Sequence, residues 1–354
     1  MAEQVLSRPG RRSPGRADGK RGWGPGLGRS EGPSGGPSRG PSGSSGRVPD
    51  GGPGGRFLRV LRRQLGAHGF LIGAVLCFAM FSWYPMIREI VMSFQQTHRN
   101  KITRQPETTW AGFQNYTRII HDPTFAQAWK NTIEFSLLAL LIGFAVPFLT
   151  AIILNELRHA RGYLRILVYL PVMLPPASAL LLFQYFYDPN YGLFDHLLRM
   201  LHLPTSQFVQ SSGSALVSVT VASTWMNMGG TTLIYLAALQ NIPGELYEAA
   251  ELDGAGILGR VRHVTIPQTR LILSMMLMLQ IVGTMQLFIE PFILTNGGAG
   301  PGNSTVSVVN LIYQYAFNLS GSSNYNSASA LGVLLMLVLG VFSAGYLWLS
   351  RDRD

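Results

Sequence analysis

Residues Asn241 to Gln268 read NIPGELYEAAELDGAGILGRVRHVTIPQ. Pro243 suits the first turn of a helix, where the missing N–H has no intrahelical partner to lose. Glu245, Glu248 and Glu251 load that helix with negative charge near its N-terminal end, which its dipole favours. Ala249 and Ala250 leave a smooth patch of small side chains, and Asp253 follows them at helical spacing. Gly254 stops the helix. A second, basic helix is expected over about Ile257 to Val264, with Ile257, Val261 and Val264 aligned at helical spacing. Pro267 restrains the residue before it and is expected to separate this segment from the next apolar run. The stretch therefore reads as a helix–turn–helix.

Outward from it, the chain is apolar. Charged residues make up 13% of the 354 residues and mean hydropathy is +0.20. That charge is about half the ~25% usual for a soluble domain. Crossing a bilayer takes about 20 mostly apolar residues as a helix, and six runs qualify. They are residues 70–92, 131–154, 163–187, 215–239, 271–294 and 328–349. The expected fold class is an all-α integral membrane protein with six transmembrane helices. Its domain, residues 56–354, encloses the loop 241–268 between the fourth and fifth spans. Pro85 interrupts the first run, and Pro171 with Pro175–Pro176 breaks the third. Such breaks are tolerated where protein or water satisfies the freed carbonyls.

Arginines orient the runs through the positive-inside rule. With the N-terminus in the cytoplasm, the inner flanks carry Arg56, Arg59, Arg62, Arg63, Arg158, Arg161, Arg165, Arg260, Arg262, Arg270, Arg351 and Arg353. The outer flanks carry fewer cations on longer loops. Both termini are then cytoplasmic in a multi-pass protein of the cell membrane. The outer loops, about 93–130, 188–213 and 295–327, hold Trp110, Phe113, Tyr116, Trp129, Tyr185, Tyr187 and Tyr191. These form either an interfacial belt or a face for an external partner.

Residues 1–55 differ in kind, since 33 of the 55 are Gly, Pro or Ser and their net charge is +5. Such a segment buries too little apolar surface to offset the entropy of ordering, so a disordered cytoplasmic tail is expected. The first apolar run lies too late for a secretory signal. A basic tail could meet nucleic acid, but it carries no motif for it, and no nucleic-acid partner is expected. The single Cys77 excludes a disulfide framework, and the seven His residues show no metal-ligand spacing. No metal is expected.

The loop carries a resemblance. Glu248 to Pro267, EAAELDGAGILGRVRHVTIP, resembles the EAA loop of ABC-importer permeases, in which Glu-Ala-Ala is followed at fixed spacing by Gly and a closing Ile-x-Leu-Pro. Glu248, Ala249, Ala250, Gly254 and Pro267 fall in register. Val264 and Ile266 replace the usual Ile and Leu, and Val261 stands where an aromatic is common. STWMNMGGTTLIYLAALQNIPGELYEAA (Ser223–Ala250), DPNYGLFDHLL (Asp188–Leu198) and PFILTNGGAGPGNSTVSVVNLIYQYAF (Pro291–Phe317) resemble the carbohydrate-uptake branch, the maltose and glycerol-phosphate permease type. Ala299–Gly300 is an insertion in its Gly-Gly-Pro turn. The likeness spans about residues 68–350.

The resemblance implies a permease subunit of an ATP-driven importer, moving a sugar or sugar-like solute by alternating access. It implies a second permease subunit in a heterodimer, a cytoplasmic ATPase dimer, an extracytoplasmic solute-binding protein, and membrane lipid around the spans. Glu248, Ala249, Ala250, Asp253, Gly254 and Pro267 would then meet the ATPase. No GxxxxGK[ST] occurs, so ATP belongs to the partner and this chain is expected to bind no cofactor and catalyse nothing.

A sugar path needs hydrogen-bonding groups at membrane depth, where polar residues are costly and usually functional. Asn227, Gln280, Gln286 and Glu290 are the candidates. Gln286 and Glu290, four apart, are expected on one helix face. Helix–helix hydrogen bonding is the equal alternative for Asn227 and Gln280, and an interfacial position near the outer end of its run is the alternative for Glu290. A secondary carrier would need intramembrane ionisable pairs and broken-helix repeats. A membrane enzyme would need converging carboxylates or histidines. Neither pattern is found.

Overall fold

The structure is a computed structural model. It describes residues 69, 71–99, 105–157, 161–317 and 324–351, and the side chains of all of these except 99, 161, 349 and 351. The chain divides into Met1–Ala67 and a second unit, His68–Asp354, to which all the described residues belong. The tail expected over residues 1–55 lies outside the described residues.

The unit is almost wholly helical. In chain order it contains α1 (Leu71–Ser93), the hairpin β1 (Gln95–Arg99) and β2 (Pro106–Trp110), and α2 (Gln114–Ile120). Then come α3 (Pro123–Glu156), α4 (Arg161–Met173), α5 (Pro176–Phe186), α6 (Leu193–Met200) and α7 (Ala215–Gln240). The rest are α8 (Gly244–Leu252), α9 (Ile257–Thr284), α10 (Ile289–Leu294), α11 (Val308–Phe317) and α12 (Tyr325–Arg351). Four of these, α1, α3, α9 and α12, are long and apolar enough to cross a membrane, and α4 with α5 makes a fifth if the bent pair is one span. The sixth expected run is α7. It has the length but is not among the helices apolar enough to cross, and it carries Ser223, Thr224, Asn227, Thr231 and Thr232.

Prolines have several outcomes. α3 and α4 run through Pro147 and Pro171 with no π turn, so Pro171, against the expectation from sequence, does not break its run. In a continuous helix a proline ring meets the carbonyl four residues back. Pro85 and Pro267 would meet those of Phe81 and His263. Each of these residues is the centre of a five-residue π-helical turn, Ala79–Trp83 and Val261–Thr265. The wider turn moves the carbonyl aside, and the helix runs on. Contrary to the expectation from sequence, Pro267 therefore does not separate the loop from the fifth span; α9 continues from Ile257 through it. Pro243 likewise serves as the N-cap of α8, not its first helical residue. At Pro175–Pro176 the chain yields, and α4 and α5 meet at 99°.

Pro291 has a further outcome. Its ring would meet the carbonyl of Leu287, and here the helix breaks, with Phe288 at φ −141°, ψ −61°. The freed Leu287 carbonyl accepts the Ser307 hydroxyl at 2.6 Å. The expected span 271–294 is thus two helices, and Gln286 and Glu290 do not share one helix face.

The helices pack around three apolar clusters. α3 and α7 form the most extensive pair. At the end nearer the α8 loop, Phe148, Ala151 and Leu154 meet Tyr235, Leu236 and Leu239, with the Tyr235 ring edge-on to Phe144 and Phe148 at 6.0 and 5.4 Å. Such ring pairs contribute roughly 0.5–1.5 kcal/mol each. At the other end, Phe135, Ala139, Phe183, Tyr187, Ala222 and Met226 form a second cluster, and Ile119, Ala128, Val308 and Leu331 belong to a third. Large apolar side chains such as Phe81, Leu141 and Leu167 are exposed on the long helices, and none of the most apolar stretch of α1 is buried within the chain.

The hairpin departs from the all-α expectation. Its residues are polar and rich in Thr, with Gln95 opposite Trp110 and Arg99 opposite Pro106. Asn115 donates to the Ser93 and Gln95 carbonyls at 2.8 and 2.7 Å, so α2 holds its base. The aromatics named from sequence divide. Trp110, Phe113, Tyr185 and Tyr191 are exposed, whereas Tyr187 is buried and donates to the Ser218 carbonyl at 2.8 Å.

Candidate functional site

Two sites emerge. The first is a cavity of about 410 Å³ halfway along α3 and α7. Asn227, Gln280, Gln286 and Glu290 all line it. They come from three places: Asn227 from α7, Gln280 from α9, and Gln286 with Glu290 from the break and the start of α10. Irregular backbone at membrane depth is tolerated where it lines a cavity, and residues 286–289 do so here.

The side chains are held at defined angles. Ser223 donates its hydroxyl to the Glu290 Oε1 at 2.9 Å, and Glu290 is buried. Asn227 Nδ2 donates to the Ser223 carbonyl at 2.9 Å, and Gln286 Nε2 to the Val282 carbonyl at 3.1 Å. Gln280 Nε2 reaches the Ala139 carbonyl at 3.4 Å. It does so beside Gly143, where an added Cβ would stand 2.9 Å from that nitrogen. The missing side chain of Gly143 therefore makes room for the Gln280 amide. Each of the three amides keeps further donors or acceptors. Phe135 and Phe288 add aromatic faces to the lining, and Ser223, Thr224, Thr231 and Thr284 add hydroxyls.

These last residues were missed in the sequence. Ser223, Asn227 and Thr231 recur every four residues, a polar stripe on one helix face, so the signal was present. The convergence of that stripe on the helix break was not.

The second site is the loop. α8 ends in a glycine cap: Ala255 N–H donates to the Ala250 carbonyl at 2.9 Å and Gly254 N–H to the Glu251 carbonyl at 3.0 Å. Gly254 lies at φ +79°, a conformation that favours glycine. Arg260 clasps the assembly. It is ion-paired with Glu251 of α8, and its Nη2 lies 4.0 Å from Glu156 at the end of α3. The Tyr247 hydroxyl pairs with the Thr265 hydroxyl at 3.1 Å. Glu248, Ala249, Asp253, Gly254 and Pro267 are exposed, and Ala250 is half-buried. Leu252 and Leu258 are 90% and 82% exposed, so the turn presents apolar surface as well as carboxylates. Among the described residues, no group of three or more His, Cys, Asp or Glu could hold a metal ion.

A helical membrane unit with a mid-depth polar cavity and a folded, exposed loop between two long helices has the form of a transport subunit. Residues 143–351 match the family described as "Binding-protein-dependent transport system inner membrane component", and the chain belongs to that family. The "Probable ABC transporter permease protein YurN" of Bacillus subtilis is 32% identical over 271 residues, 75% of this chain and 90% of that protein. The "Arabinooligosaccharides transport system permease protein AraP" of Halalkalibacterium halodurans is 31% identical over 278 residues, 78% of this chain and 84% of that one. The fold also resembles a chain of a bacterial alginate ABC transporter solved with its pentasaccharide-bound periplasmic protein. There the TM-score is 0.70 at 24% identity, covering 84% of this chain and 98% of that one. This chain is thus an ABC-importer permease subunit in the cell membrane, without a catalytic site of its own; ATP hydrolysis belongs to a separate subunit.

Proposed function

We propose that this permease carries a saccharide through the α3–α7–α9 cavity, and that the α8–α9 loop receives the ATPase. The cavity's composition supports the first part: amides, hydroxyls and one carboxylate beside two phenyl rings suit a hydroxyl-rich ligand with apolar ring faces. The named solutes of several relatives, among them arabinooligosaccharides, trehalose/maltose and lactose, point the same way.

The observation that carries the second part is the exposure of Leu252 and Leu258 on a loop otherwise held rigid. A merely solvated connector has no cause to present large apolar side chains beside a capped turn. Ala249 and Ala250 permit close approach, and Glu248 offers a charge-assisted contact to a partner cation. A dimer of ATPases closing on ATP would move this loop as a lever. The lever's stiffness comes from the Gly254 cap and the Arg260 clasp, and its motion passes into α9 without a joint, because α9 is continuous through Pro267. A second permease subunit completes the pathway, a binding protein delivers solute at the hairpin end, and six spans place both termini in the cytoplasm. ATP is bound by the partner alone, and Asp253 and Pro267 belong to the docking surface.

The test is uptake together with co-purification of the ATPase. Glu248→Ala and Gly254→Asp are expected to insert normally, lower co-purification and cut ATP-driven uptake by more than half. Full uptake and full co-purification in both variants would remove the loop from the mechanism.

A further inference from the structure

Among the described residues lining the cavity, Glu290 is the one charged group; no Lys, Arg or His joins it. It forms none of the described ion pairs. It is 9% exposed, and Ser223 holds one of its oxygens at 2.9 Å. A carboxylate is an acceptor only, with about four lone-pair sites, so Ser223 leaves most of its capacity to whatever enters the cavity. The other polar lining groups, the amides of Asn227, Gln280 and Gln286 and the hydroxyls of Ser223, Thr224, Thr231 and Thr284, are neutral.

This arrangement separates two classes of solute. The hydroxyls of an uncharged sugar are donors as well as acceptors. Neighbouring hydroxyls can donate to Glu290 and accept from the amide nitrogens of Gln280 and Gln286. A sugar phosphate or a uronate brings a second negative charge into a site of reduced dielectric, where like charges repel strongly. It would also leave its own oxygens without a cationic donor. We propose that this chain carries an uncharged saccharide, not a sugar phosphate or a uronate, and that Glu290 sets that preference. The proposal rests on the permease reading above and goes beyond it, since relatives include permeases named for sn-glycerol-3-phosphate as well as for neutral sugars.

The experiment uses the whole importer in proteoliposomes, with its ATPase and binding protein. The radiolabelled probes are a set of neutral di- and trisaccharides, glycerol 3-phosphate, a galacturonate oligomer and an amino sugar. ATP-driven uptake of one or more neutral probes is expected at least 100-fold above either anion. Glu290→Gln, which keeps shape and removes charge, is expected to raise the half-saturating concentration of the neutral probe about tenfold. Uptake of an anion within tenfold of the best neutral probe overturns the proposal, as does an amino sugar carried best. A Glu290→Gln variant with wild-type kinetics overturns the role of the residue. Should that variant fail to assemble, Ser223→Ala is read in its place; a several-fold rise in half-saturation is expected, and unchanged kinetics count against Glu290. Failure of every probe in an assembly that still hydrolyses ATP would strike the saccharide reading itself.

Discussion

At the scale of single residues, the cavity depends on absences as much as on side chains. Gly143 is the clearest case. An added Cβ would stand 2.9 Å from Gln280 Nε2 and 3.3 Å from Thr224 Oγ1. The nearest obstacle is the far end of a flexible side chain, so Gly143→Ala is expected to fold and insert. Gln280 must turn away, however, and its contact with the Ala139 carbonyl is lost. Saturation kinetics of uptake are expected to show a several-fold weaker apparent affinity, and Gly143→Leu, which fills the cavity, to abolish uptake with normal membrane levels. Wild-type kinetics in Gly143→Leu would exclude the cavity from the solute path.

Asp122 is a second residue with a defined effect. It caps α3 by accepting the Thr124 N–H at 2.8 Å and also accepts the Tyr315 hydroxyl. Burial alone would raise its pKa, but the Tyr315 and Thr124 hydrogen bonds outweigh that and hold the carboxyl below its ordinary 3.8. Burial and the nearby carboxylate push the Tyr315 hydroxyl up. A depressed carboxyl stabilises the fold above its unfolded-state pKa, and that contribution is lost as pH falls through the lower folded value. Thermal unfolding of the purified importer is therefore expected to fall below about pH 4. Asp122→Asn should be less stable at neutral pH and flatter in acid. Parallel curves for the two proteins would remove Asp122 from the acid response.

At the scale of elements, the loop's geometry turns on Arg260. Its guanidinium lies between Glu251 on α8 and Glu156 at the end of α3. Both carboxylates are about half exposed, and surface ion pairs contribute only ~0–1 kcal/mol. Arg260→Gln is accordingly expected to leave stability and ATPase binding nearly unchanged. What it removes is the charged tie among α8, α9 and the end of α3, leaving the Tyr247–Thr265 hydroxyl pair as the other described link between α8 and α9. The expected result is less solute moved per ATP hydrolysed, with Glu156→Gln showing a weaker version at the longer contact. An unchanged ratio in both variants would show that the clasp transmits nothing.

The elements also show what a sequence can and cannot reveal about proline. Pro85, Pro267 and Pro291 are all prolines within or beside apolar runs. Two are accommodated by π turns in otherwise continuous helices, and one breaks its helix. The difference lies in what receives the displaced carbonyl. Ser307 stands ready for Leu287, and Ser307 is remote in sequence. Nothing local to Pro291 announced it.

At the scale of the molecule, the proposed topology has direct consequences for accessibility. With six spans and both ends inside, a Cys77→Ser background carrying Gly256→Cys or Ser44→Cys is expected to resist impermeant thiol reagents applied outside. External labelling at either position would overturn the orientation. A chain starting just before Arg56 is expected to insert and to support full uptake, because residues 1–55 hold no stretch able to form a core. Normal insertion with no uptake would give that tail a role in transport.

The sequence by itself determined the class of fold, the place of the loop and the residues to suspect. Apolar runs of bilayer length are a local property, and so is the spacing from Glu248 to Pro267. The cap at Gly254 was legible because only glycine adopts positive φ without strain. The tertiary structure alone decided three things. It decided that Asn227, Gln280, Gln286 and Glu290 share one cavity, although the helix break separates two that seemed paired. It decided that Arg260 spans α8 and α3, a contact between residues about a hundred apart in the chain. It also decided that Tyr187 turns inward while Tyr185 and Tyr191 stay exposed. Each depends on which helix packs against which, and side-chain periodicity along one helix carries no information about its partner.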